Sequence, residues 1–367
     1  MTPLGFTTAT TFSEMLEGKT AIRLQDNQFL PEPYYAAILS EEKISTQFNA
    51  IGNPANFTKL EQMLLLSAKD TLMQNAEHIT DRTGLIVATT KGNIEALGAN
   101  SLFGENRAYL TELSKLIAQF FGITTKPVVL SNACVSGILA ITVAQRMLQH
   151  EQYDNFLIVA GDLVTKFTLS GFHSFQALSS LPCKPYSRNR DGITLGDAAA
   201  AAWITKTKPP KKGGQVLGGA SCNDANHISG PSRTGEGLRK SIQWAMAEAG
   251  VDPAEIDFIS AHGTATKYND EMEAHAFAAT GFNATPLHSL KGYFGHTLGA
   301  AGLLEAVLGI QSMQKNTFIP SMGFDALGVT KRLRIIEAIS QKPIHHFLKT
   351  ASGFGGCNTS VVFKKLS

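Results

Sequence analysis

Cysteine is scarce in this chain. The chain also has no large excess of positive or negative charge and no long apolar run. The four cysteines among 367 residues lie at positions 134, 183, 222 and 357 without C-x-x-C spacing, which predicts free thiols in a reducing cytoplasm. With 32 basic and 30 acidic residues, the net charge of +2 gives no indication of nucleic acid or an anionic membrane as a partner. No apolar run has the length of a membrane span, and the N-terminus lacks the layout of a secretory signal. We therefore expect a cytoplasmic protein without membrane insertion.

Motifs for nucleotides and metals are also missing. There is no P-loop and no G-x-G-x-x-G after a strand, so no nucleotide cofactor is expected. His262 and His296 lack the i, i+4 spacing of two ligands on one helix, and the adjacent His345 and His346 would point apart on a strand. The sequence therefore predicts neither a metal site nor a bound cofactor.

Short apolar runs alternate with segments of helical length. The runs are GLIVA at 84–88, VVL at 128–130, FLIVAG at 156–161, an alanine-rich run ending at 205, and IDFISA at 256–261. This alternation predicts an α/β protein whose mostly parallel sheets are covered by helices on both faces. The stretch KTKPPKKGGQ at 206–215 is rich in Lys, Pro and Gly, and it predicts a linker between an N-terminal half, 1–205, and a C-terminal half, 216–367.

One cysteine lies between a predicted strand and a predicted helix, in VVLSNACVSGILAI at 128–141. We expect a buried strand up to Leu130 and a helix from Val135 to Leu148. Cys134 would then lie where the helix begins, and the unpaired N–H groups and dipole of that helix favour a thiolate. The alternative is a small hydrophobic residue packed in a turn, and position alone does not decide between the two.

A histidine follows the run IDFISA, in the segment HGTATKYNDEME. The carboxyl ends of parallel strands are where open α/β sheets bind ligands, so His262 is a candidate catalytic residue. A hydrogen-bonded loop histidine is an equally good interpretation of this residue alone. The spacing Asp270-x-x-Glu273 fits a helix capping box, which on spacing alone makes Glu273 a cap.

Two further loops carry candidate residues. Lys291 and His296 precede a helix whose small residues, GAAG at 299–302, would permit close packing, but packing does not explain the lysine and the histidine. The segment GFGG at 353–356 precedes the last predicted strand. It is interpreted either as a tight turn or as backbone N–H groups that face an anion.

Together, these segments closely resemble the β-ketoacyl-acyl-carrier-protein synthases, condensing enzymes of the thiolase superfamily. SNACVSG matches the nucleophile turn of that family, HGTATKYNDEMEA its first histidine motif, KGYFGHTLGAAG its lysine and second histidine motif, and KPYSRNRDGITLGDAA a structural motif between the halves. The match runs from TPLGFTTATTFSEMLEGKTAI to GFGGCNTSVVF, nearly the whole chain. It implies a duplicated thiolase-like fold, layered α-β-α-β-α, with two mixed and mostly parallel sheets.

The resemblance also implies a role for each candidate residue. Cys134 would take an acyl group from a carrier-protein thioester, with the backbone N–H groups of Cys134 and Phe354 as the oxyanion hole. His262 and His296 would hold the enolate formed when malonyl thioester loses CO2. The supporting residues that the family motifs imply are Lys291 and Glu273 for hydrogen bonding, Thr264 and Thr266 for the pantetheine arm, and Phe354 for gating the acyl pocket.

The implied activity is that of an elongating synthase, because histidine stands at both positions. It would extend a fatty-acid, polyene or polyketide chain by two carbons, with acyl carrier protein as partner, as a homodimer, and with no cofactor beyond the carrier's phosphopantetheine. The alternative is the active subunit of a heterodimer with a chain-length factor; a thiolase-type coenzyme A enzyme or a non-catalytic partner fits the motifs less well. Candidate basic residues for carrier docking are Lys166, Arg188 and Arg190.

The chain departs from the family pattern at several places, including a shortened connection from ALSS to KPYSRNRDG and a shortened stretch at 89–125. It begins at the segment MTPLG, without the β-branched strand that usually precedes it. Ser352 stands where a second phenylalanine is common, which predicts a looser pocket gate. Cys357 stands where a threonine is usual.

Overall fold

The computed structural model describes residues 1–26, 29–75, 79–206, 213–224 and 228–366. Within these ranges the helices are α1 Thr8–Leu16, α2 Glu41–Phe48, α3 Lys59–Asn75, α4 Leu110–Phe121, α5 Ser136–Gln149, α6 Lys166–Ser174, α7 Glu236–Ala249, α8 Lys267–Ala279, α9 Lys291–Phe294 and α10 Ala301–Lys315. The strands are β1 Arg23–Gln25, β2 Tyr34–Ala37, β3 Thr83–Ala88, β4 Val128–Leu130, β5 Asn155–Asp162, β6 Leu195–Gly196, β7 Ala198–Thr205, β8 Gly214–Asn223, β9 Phe258–Ser260, β10 Pro286–His288, β11 Thr317–Phe318, β12 Arg334–Ile335, β13 Ser340–Gln341, β14 His346–Ser352 and β15 Cys357–Lys365.

Two mixed sheets form the centre of the protein. The first has the strand order β4-β3-β5-β7, and the second has the order β12-β10-β9-β14-β15-β8. In each sheet most pairs are parallel, and the antiparallel pairs are β5 with β7, β14 with β15, and β15 with β8. The order β4-β3-β5-β7 repeats as β10-β9-β14-β15 with the same strand directions, as expected for a duplicated fold.

The strands at the centre of the first sheet are buried on both faces. Every residue of β3 and β5 is buried, which explains why their sequences are continuous apolar runs rather than alternating patterns. The outer strand β7 contacts the chain's first residue, since the backbone N–H of Ala199 donates to the carbonyl of Met1 over 3.1 Å. The sheet edge is therefore covered at that point by the segment that precedes α1.

Helices complete five layers. Helices α3 and α4 pack on the first sheet, α7 packs on the second sheet and on α8, and α5 and α10 lie between the sheets in contact with each other. Close packing of α5 on α10 requires glycine, because a Cβ added at Gly302 would lie 2.6 Å from the backbone nitrogen of Ile138. The predicted α-β-α-β-α layering is confirmed.

The boundary between the predicted halves falls partly outside the described residues. Of the predicted linker 206–215, residues 207–212 are not among them. Strand β7 ends at Thr205, and β8 begins at Gly214, so the last two residues of the predicted linker belong to a strand. The division into 1–205 and 216–367 stays a prediction. None of the helices in the described ranges is both long enough and apolar enough to span a bilayer.

Candidate active site

Cys134 lies on a tight turn between β4 and α5. Helix α5 begins at Ser136, one residue later than predicted, so Cys134 precedes the helix by two residues. The Ser136 hydroxyl closes the turn by accepting from the N–H of Asn132 over 2.8 Å and donating to the carbonyl of Ala133 over 2.7 Å. Ala133 has a φ of 44°, a left-handed conformation that disfavours larger side chains. This strained turn presents the Cys134 thiol to a cavity.

The thiol of Cys134 is not ionised at rest. Burial raises its pKa to about 12, and the nearby Cys357 acts in the same direction, while the Lys291 ammonium opposes them. The amino end of α5 also opposes them, because its unpaired N–H groups stabilise negative charge. The start of the helix favours a thiolate, and the sequence alone left open whether that effect or burial dominates; burial dominates here. Attack by the sulfur therefore requires a neighbouring group that accepts its proton.

Two histidines supply such groups. His262 follows β9 and His296 follows α9, and their ring centroids are 5.1 Å apart with planes at 86°. The Cys134 sulfur and one ring nitrogen of each histidine all lie within 4.8 Å of one another. Burial, and then the Lys291 ammonium, hold the pKa of both imidazoles well below the usual range. Both rings are neutral at physiological pH, so each can accept a proton on one nitrogen and donate from the other.

Glu273 fixes the loop that carries His262. Its carboxylate accepts the backbone N–H groups of His262 over 2.8 Å and Gly263 over 2.7 Å, and the hydroxyl of Tyr186 over 3.0 Å. The capping-box interpretation of Glu273 is wrong, because the N-cap of α8 is Thr266. Glu273 instead satisfies two backbone donors of the loop after β9.

Lys291 holds the other side of His262. Its ammonium donates to the His262 carbonyl, lies 3.5 Å from His262 Nδ1, and pairs with Glu305 Oε1 over 2.8 Å. Because an ammonium only donates, His262 Nδ1 faces it as an acceptor, which leaves the proton on Nε2. The predicted pair Lys291 and Glu273 thus supports His262 from two directions without direct contact. Glu305 was missed by the sequence analysis, although an acidic residue within the apolar stretch GLLEAVLGI was a usable signal.

The loop of His296 is tied to the first half of the chain. The N–H of His296 donates to the carbonyl of Thr194 over 2.6 Å, within the matched segment KPYSRNRDGITLGDAA. Three residues later, the N–H of Gly299 donates to Asp162 over 2.7 Å. The buried Asp162 ends β5 and also accepts from the N–H of Thr90 over 2.9 Å. Asp162 was missed as well, and its only signal was a carboxylate at the end of a buried apolar strand.

The Gly-Phe-Gly-Gly turn packs directly on the nucleophile turn. A Cβ added at Gly353 would lie 3.0 Å from the backbone nitrogen of Cys134 and 3.0 Å from the sulfur of Cys357. Within the described part of the chain, the N–H groups of Cys134 and Phe354 donate no hydrogen bond. Two free backbone donors on adjoining turns are the arrangement that stabilises a developing oxyanion.

A cavity of about 450 Å³ opens from these groups to the surface. Its wall includes Cys134, both histidines, Thr264, Thr266 and the aromatic rings of Phe172, Phe175 and Phe354. The Phe354 ring lies 5.5 Å from the centroids of Phe172 and Phe175. Aromatic walls suit an apolar chain, and the two threonine hydroxyls suit a polar linker that enters from outside.

Family relationships agree with this site. The beta-ketoacyl synthase N-terminal domain matches residues 1–209, and the beta-ketoacyl synthase C-terminal domain matches residues 214–325. The chain belongs to the β-ketoacyl synthase family. The family, the fold and the condensing acyltransferase class inferred from the motifs are thereby confirmed.

Similar individual proteins are also named as synthases of this family. The chain is 25% identical to a putative mitochondrial 3-oxoacyl-acyl-carrier-protein synthase of Schizosaccharomyces pombe, across 100% of this chain and 97% of that protein. It is 31% identical to 3-oxoacyl-acyl-carrier-protein synthase 2 of Rhizobium meliloti, across 64% of this chain and 59% of that protein. Among solved structures, a β-ketoacyl synthase from Burkholderia phymatum superimposes with a TM-score of 0.87 at 22% identity, covering 100% of this chain and 97% of the other. The ishigamide ketosynthase/chain length factor gives a TM-score of 0.89 at 20% identity, with the same coverage.

The three basic residues expected to dock a carrier protein differ in exposure. Arg190 is buried, donates to the carbonyl of Gly328 over 2.7 Å and lies 3.6 Å from the carboxylate of Asp270, so a docking role for it is wrong. Lys166 and Arg188 are exposed. At the mouth of the synthase cavity, the structure adds an exposed lysine that the sequence analysis did not single out, Lys267 at the start of α8.

The same three side chains also fit metal ligation. A thiol and two imidazoles within 4.8 Å of one another are a donor set that zinc accepts. Local spacing in the sequence gave no indication of a metal site, because these three residues are distant in sequence and come together only in the fold. In a β-ketoacyl synthase this set is equally a nucleophile with its proton acceptors, and no step below depends on a metal.

Proposed function

We propose that the chain is an elongating β-ketoacyl-acyl-carrier-protein synthase. It would catalyse the decarboxylative Claisen condensation of malonyl-carrier protein with an acyl group held on Cys134. The observation that carries this proposal is the convergence of one thiol and two neutral imidazoles within 4.8 Å, beside two backbone N–H groups that donate no hydrogen bond to any residue the structure describes. The reaction needs a nucleophile, a proton acceptor and donors for two different oxyanions, and this set supplies each of them.

In the first half-reaction, the Cys134 sulfur attacks the carbonyl carbon of an acyl thioester. Its proton passes to the imidazole of His296, because the acceptor nitrogen of His262 faces Lys291, and the carbonyl oxygen becomes an oxyanion that accepts from the N–H groups of Cys134 and Phe354. Collapse of the tetrahedral intermediate breaks the bond to the carrier sulfur, which leaves as a thiol after taking the proton back. Cys134 then holds the acyl group as a thioester.

In the second half-reaction, malonyl thioester loses CO2, and the electron pair of the broken bond forms an enolate. The Nε2–H of His262 and an N–H of His296 donate to the enolate oxygen. The enolate carbon attacks the carbonyl of the acyl-Cys134 thioester and expels the cysteine sulfur as a thiolate, which takes up one proton from solvent to regenerate the resting thiol. The product on the carrier is a β-ketoacyl thioester longer by two carbons.

The substrates would arrive on an acyl carrier protein. Thr264 and Thr266 line the cavity and are suited to hydrogen-bond a pantetheine arm, and the exposed Lys267 at its mouth is suited to an acidic carrier surface. This chemistry requires no cofactor beyond the phosphopantetheine on the carrier. Four cysteines without disulfides support a reducing compartment, and we propose the cytoplasm.

A homodimer fits the open edge of the first sheet. Among the described strands, β4 pairs only with β3, and its three residues are partly exposed. A strand edge of this kind is suited to pairing with another chain. The same edge would serve a heterodimer with a chain-length factor, the assembly named for one of the similar structures, and this chain would then be its active subunit.

Intact-mass spectrometry tests the proposal. The purified protein is incubated with a panel of acyl-carrier-protein thioesters, with Cys134→Ala as control. An acyl increment on the wild type alone, and its discharge as a longer ketoacyl product when malonyl-carrier protein is added, are the expected results. No acylation by any donor would contradict a stand-alone enzyme, and light scattering with and without a co-expressed homologue would then separate an obligate heterodimer from a non-catalytic chain.

A further inference from the structure

A second buried lysine lies behind the histidines. Lys349, in β14, is fully buried, and its ammonium donates to Glu305 Oε2 over 2.6 Å and to the carbonyls of Thr350 over 2.7 Å and Ser260 over 3.2 Å. A charged lysine is tolerated inside a protein only when it is paired and hydrogen-bonded, and Glu305 with these carbonyls meets that condition. Lys349 does not line the cavity and therefore does not touch substrate.

Glu305 joins this lysine to the active site. One of its oxygens binds Lys291 over 2.8 Å and the other binds Lys349 over 2.6 Å, all three side chains being buried. Burial alone would raise the pKa of Glu305, but the two ammonium groups outweigh it and hold that pKa below the usual range. The carboxylate is ionised. Burial lowers the pKa of Lys349, and the Glu305 carboxylate opposes that shift. With both lysines protonated, two ammonium groups against one carboxylate give this cluster one net positive charge.

The charge lies against the groups that handle the enolate. Charged and titratable groups from several elements surround the two histidines. They are Lys291 at the start of α9, Lys349 in β14, Glu305 in α10, Glu273 and Asp270 in α8, Cys134 before α5, and Tyr186. Lys349 contributes to lowering the pKa of both His262 and His296, after burial and Lys291. Positive charge behind a neutral imidazole strengthens its N–H as a donor to an anion.

We propose that Lys349 is a positioning residue that acts through Glu305 and Lys291. It keeps the cluster one unit positive, and that charge stabilises the enolate of the malonyl half-reaction. Without Lys349, Glu305 would neutralise Lys291, and the histidines would face a cluster with no net charge. This inference rests on the proposed function, since it assigns a role in its second half-reaction.

Restoring the charge separates this role from a structural one. Lys349→Met removes the positive charge, whereas Lys349→Met combined with Glu305→Gln returns the cluster to one net positive charge carried by Lys291. We expect the single variant to slow CO2 release from malonyl-carrier protein about tenfold more than it slows acylation of Cys134, because a charge that does not touch the enolate acts on it only weakly through the protein. We expect the double variant to recover most of that loss.

The pH profile gives a second readout. Removing a neighbouring positive charge lets the pKa of both histidines rise toward the usual value. The acidic limb of Cys134 acylation, which needs a neutral imidazole to accept the thiol proton, therefore moves to higher pH in Lys349→Met. In the double variant the limb returns toward the wild-type position. Lys349→Gln keeps hydrogen-bond donors without charge and should behave like Lys349→Met, and Lys364→Met, at an exposed site in β15, should behave like the wild type.

The outcomes distinguish the two proposals. If wild-type protein acylates Cys134 and releases CO2, but the double variant is slower than Lys349→Met with an unmoved acidic limb, Lys349 is structural and the inference is overturned. Lys349→Gln matching the wild type would overturn it as well, because hydrogen bonding and not charge would then suffice. If wild-type protein itself neither acylates nor releases CO2, the proposed function fails first. Circular dichroism of each variant identifies any loss that comes from misfolding.

Discussion

Replacing Glu273 by glutamine tests how the loop of His262 is held. Glu273 is fully buried, and its two oxygens have unequal partners. Oε1 accepts the N–H of His262, while Oε2 accepts the N–H of Gly263, the hydroxyl of Tyr186 and the amide of Asn269. A glutamine keeps only one acceptor oxygen. We expect that oxygen to occupy the Oε2 position, where it accepts three hydrogen bonds, and not the Oε1 position, where it would accept one. The NH2 group would then face the N–H of His262, donor against donor.

The magnitude follows from that single unpaired donor. Leaving one buried N–H without an acceptor costs about 1–3 kcal/mol, and we expect the free energy of unfolding of Glu273→Gln to fall by about that amount. Because the lost bond belongs to His262 itself, CO2 release and condensation should fall more than acylation of Cys134.

Urea unfolding followed by circular dichroism measures the first effect, and single-turnover assays of the two half-reactions measure the second. Glu112→Gln is the matched control, since Glu112 forms an exposed pair with Lys115 in α4 whose contribution to stability is small. Equal losses in both half-reactions, or no loss of stability, would refute the view that Glu273 acts by positioning His262.

Three further outcomes follow from the geometry of the site. Gly353→Ala should slow acylation of Cys134 at least about tenfold in stopped-flow assays, because its Cβ would lie 3.0 Å from the backbone nitrogen of Cys134 in the oxyanion hole. Gly171→Ala is the control, since no atom lies within 4 Å of the added Cβ, and it should leave the rate unchanged. Equal rates in the two variants would contradict this. Acylation of Cys134 should stay constant from neutral pH down to the usual histidine pKa and fall only below it, because a neutral imidazole must accept the thiol proton and burial lowers the pKa of both site histidines; a limb at the usual value would contradict this. Lys267→Glu should raise the KM for acyl-carrier protein about tenfold, and Lys43→Glu, exposed in α2, should leave it unchanged; an unchanged KM in Lys267→Glu would remove this lysine from the docking surface.

Local patterns were sufficient for the fold class and the nucleophile turn. The runs at 84–88 and 156–161 are buried strands because both of their faces are covered, and continuous apolar sequence is the mark of such strands. The sequence around Cys134 identified the strand, turn and helix to within one residue. His262, Lys291 and His296 were found through motif resemblance, and their spacing alone would have left them ambiguous.

What failed depended on contacts between distant segments. The Asp270-x-x-Glu273 spacing indicated a helix cap, but Glu273 is taken up by backbone donors from the loop before that helix. Arg190 was expected at the surface, but it is buried beside Asp270. Lys349 and Glu305 are 44 residues apart, and no local pattern reports that two charges meet inside the core. Buried polar networks are assembled by topology, so the members that no family motif names, Glu305 and Lys349, were found only in the folded structure.

A single-turnover condensation shows whether loss of CO2 from the malonyl group is coupled to transfer of the acyl group from Cys134. Protein carrying an acyl group on Cys134 is mixed with isotope-labelled malonyl-carrier protein, and CO2, the mass of the protein and the carrier-bound product are followed together. We expect equal amounts of three changes: release of CO2, loss of the acyl increment from the protein, and appearance of a ketoacyl product longer by two carbons. Release of the acyl group as a free acid, or discharge without CO2, would contradict this.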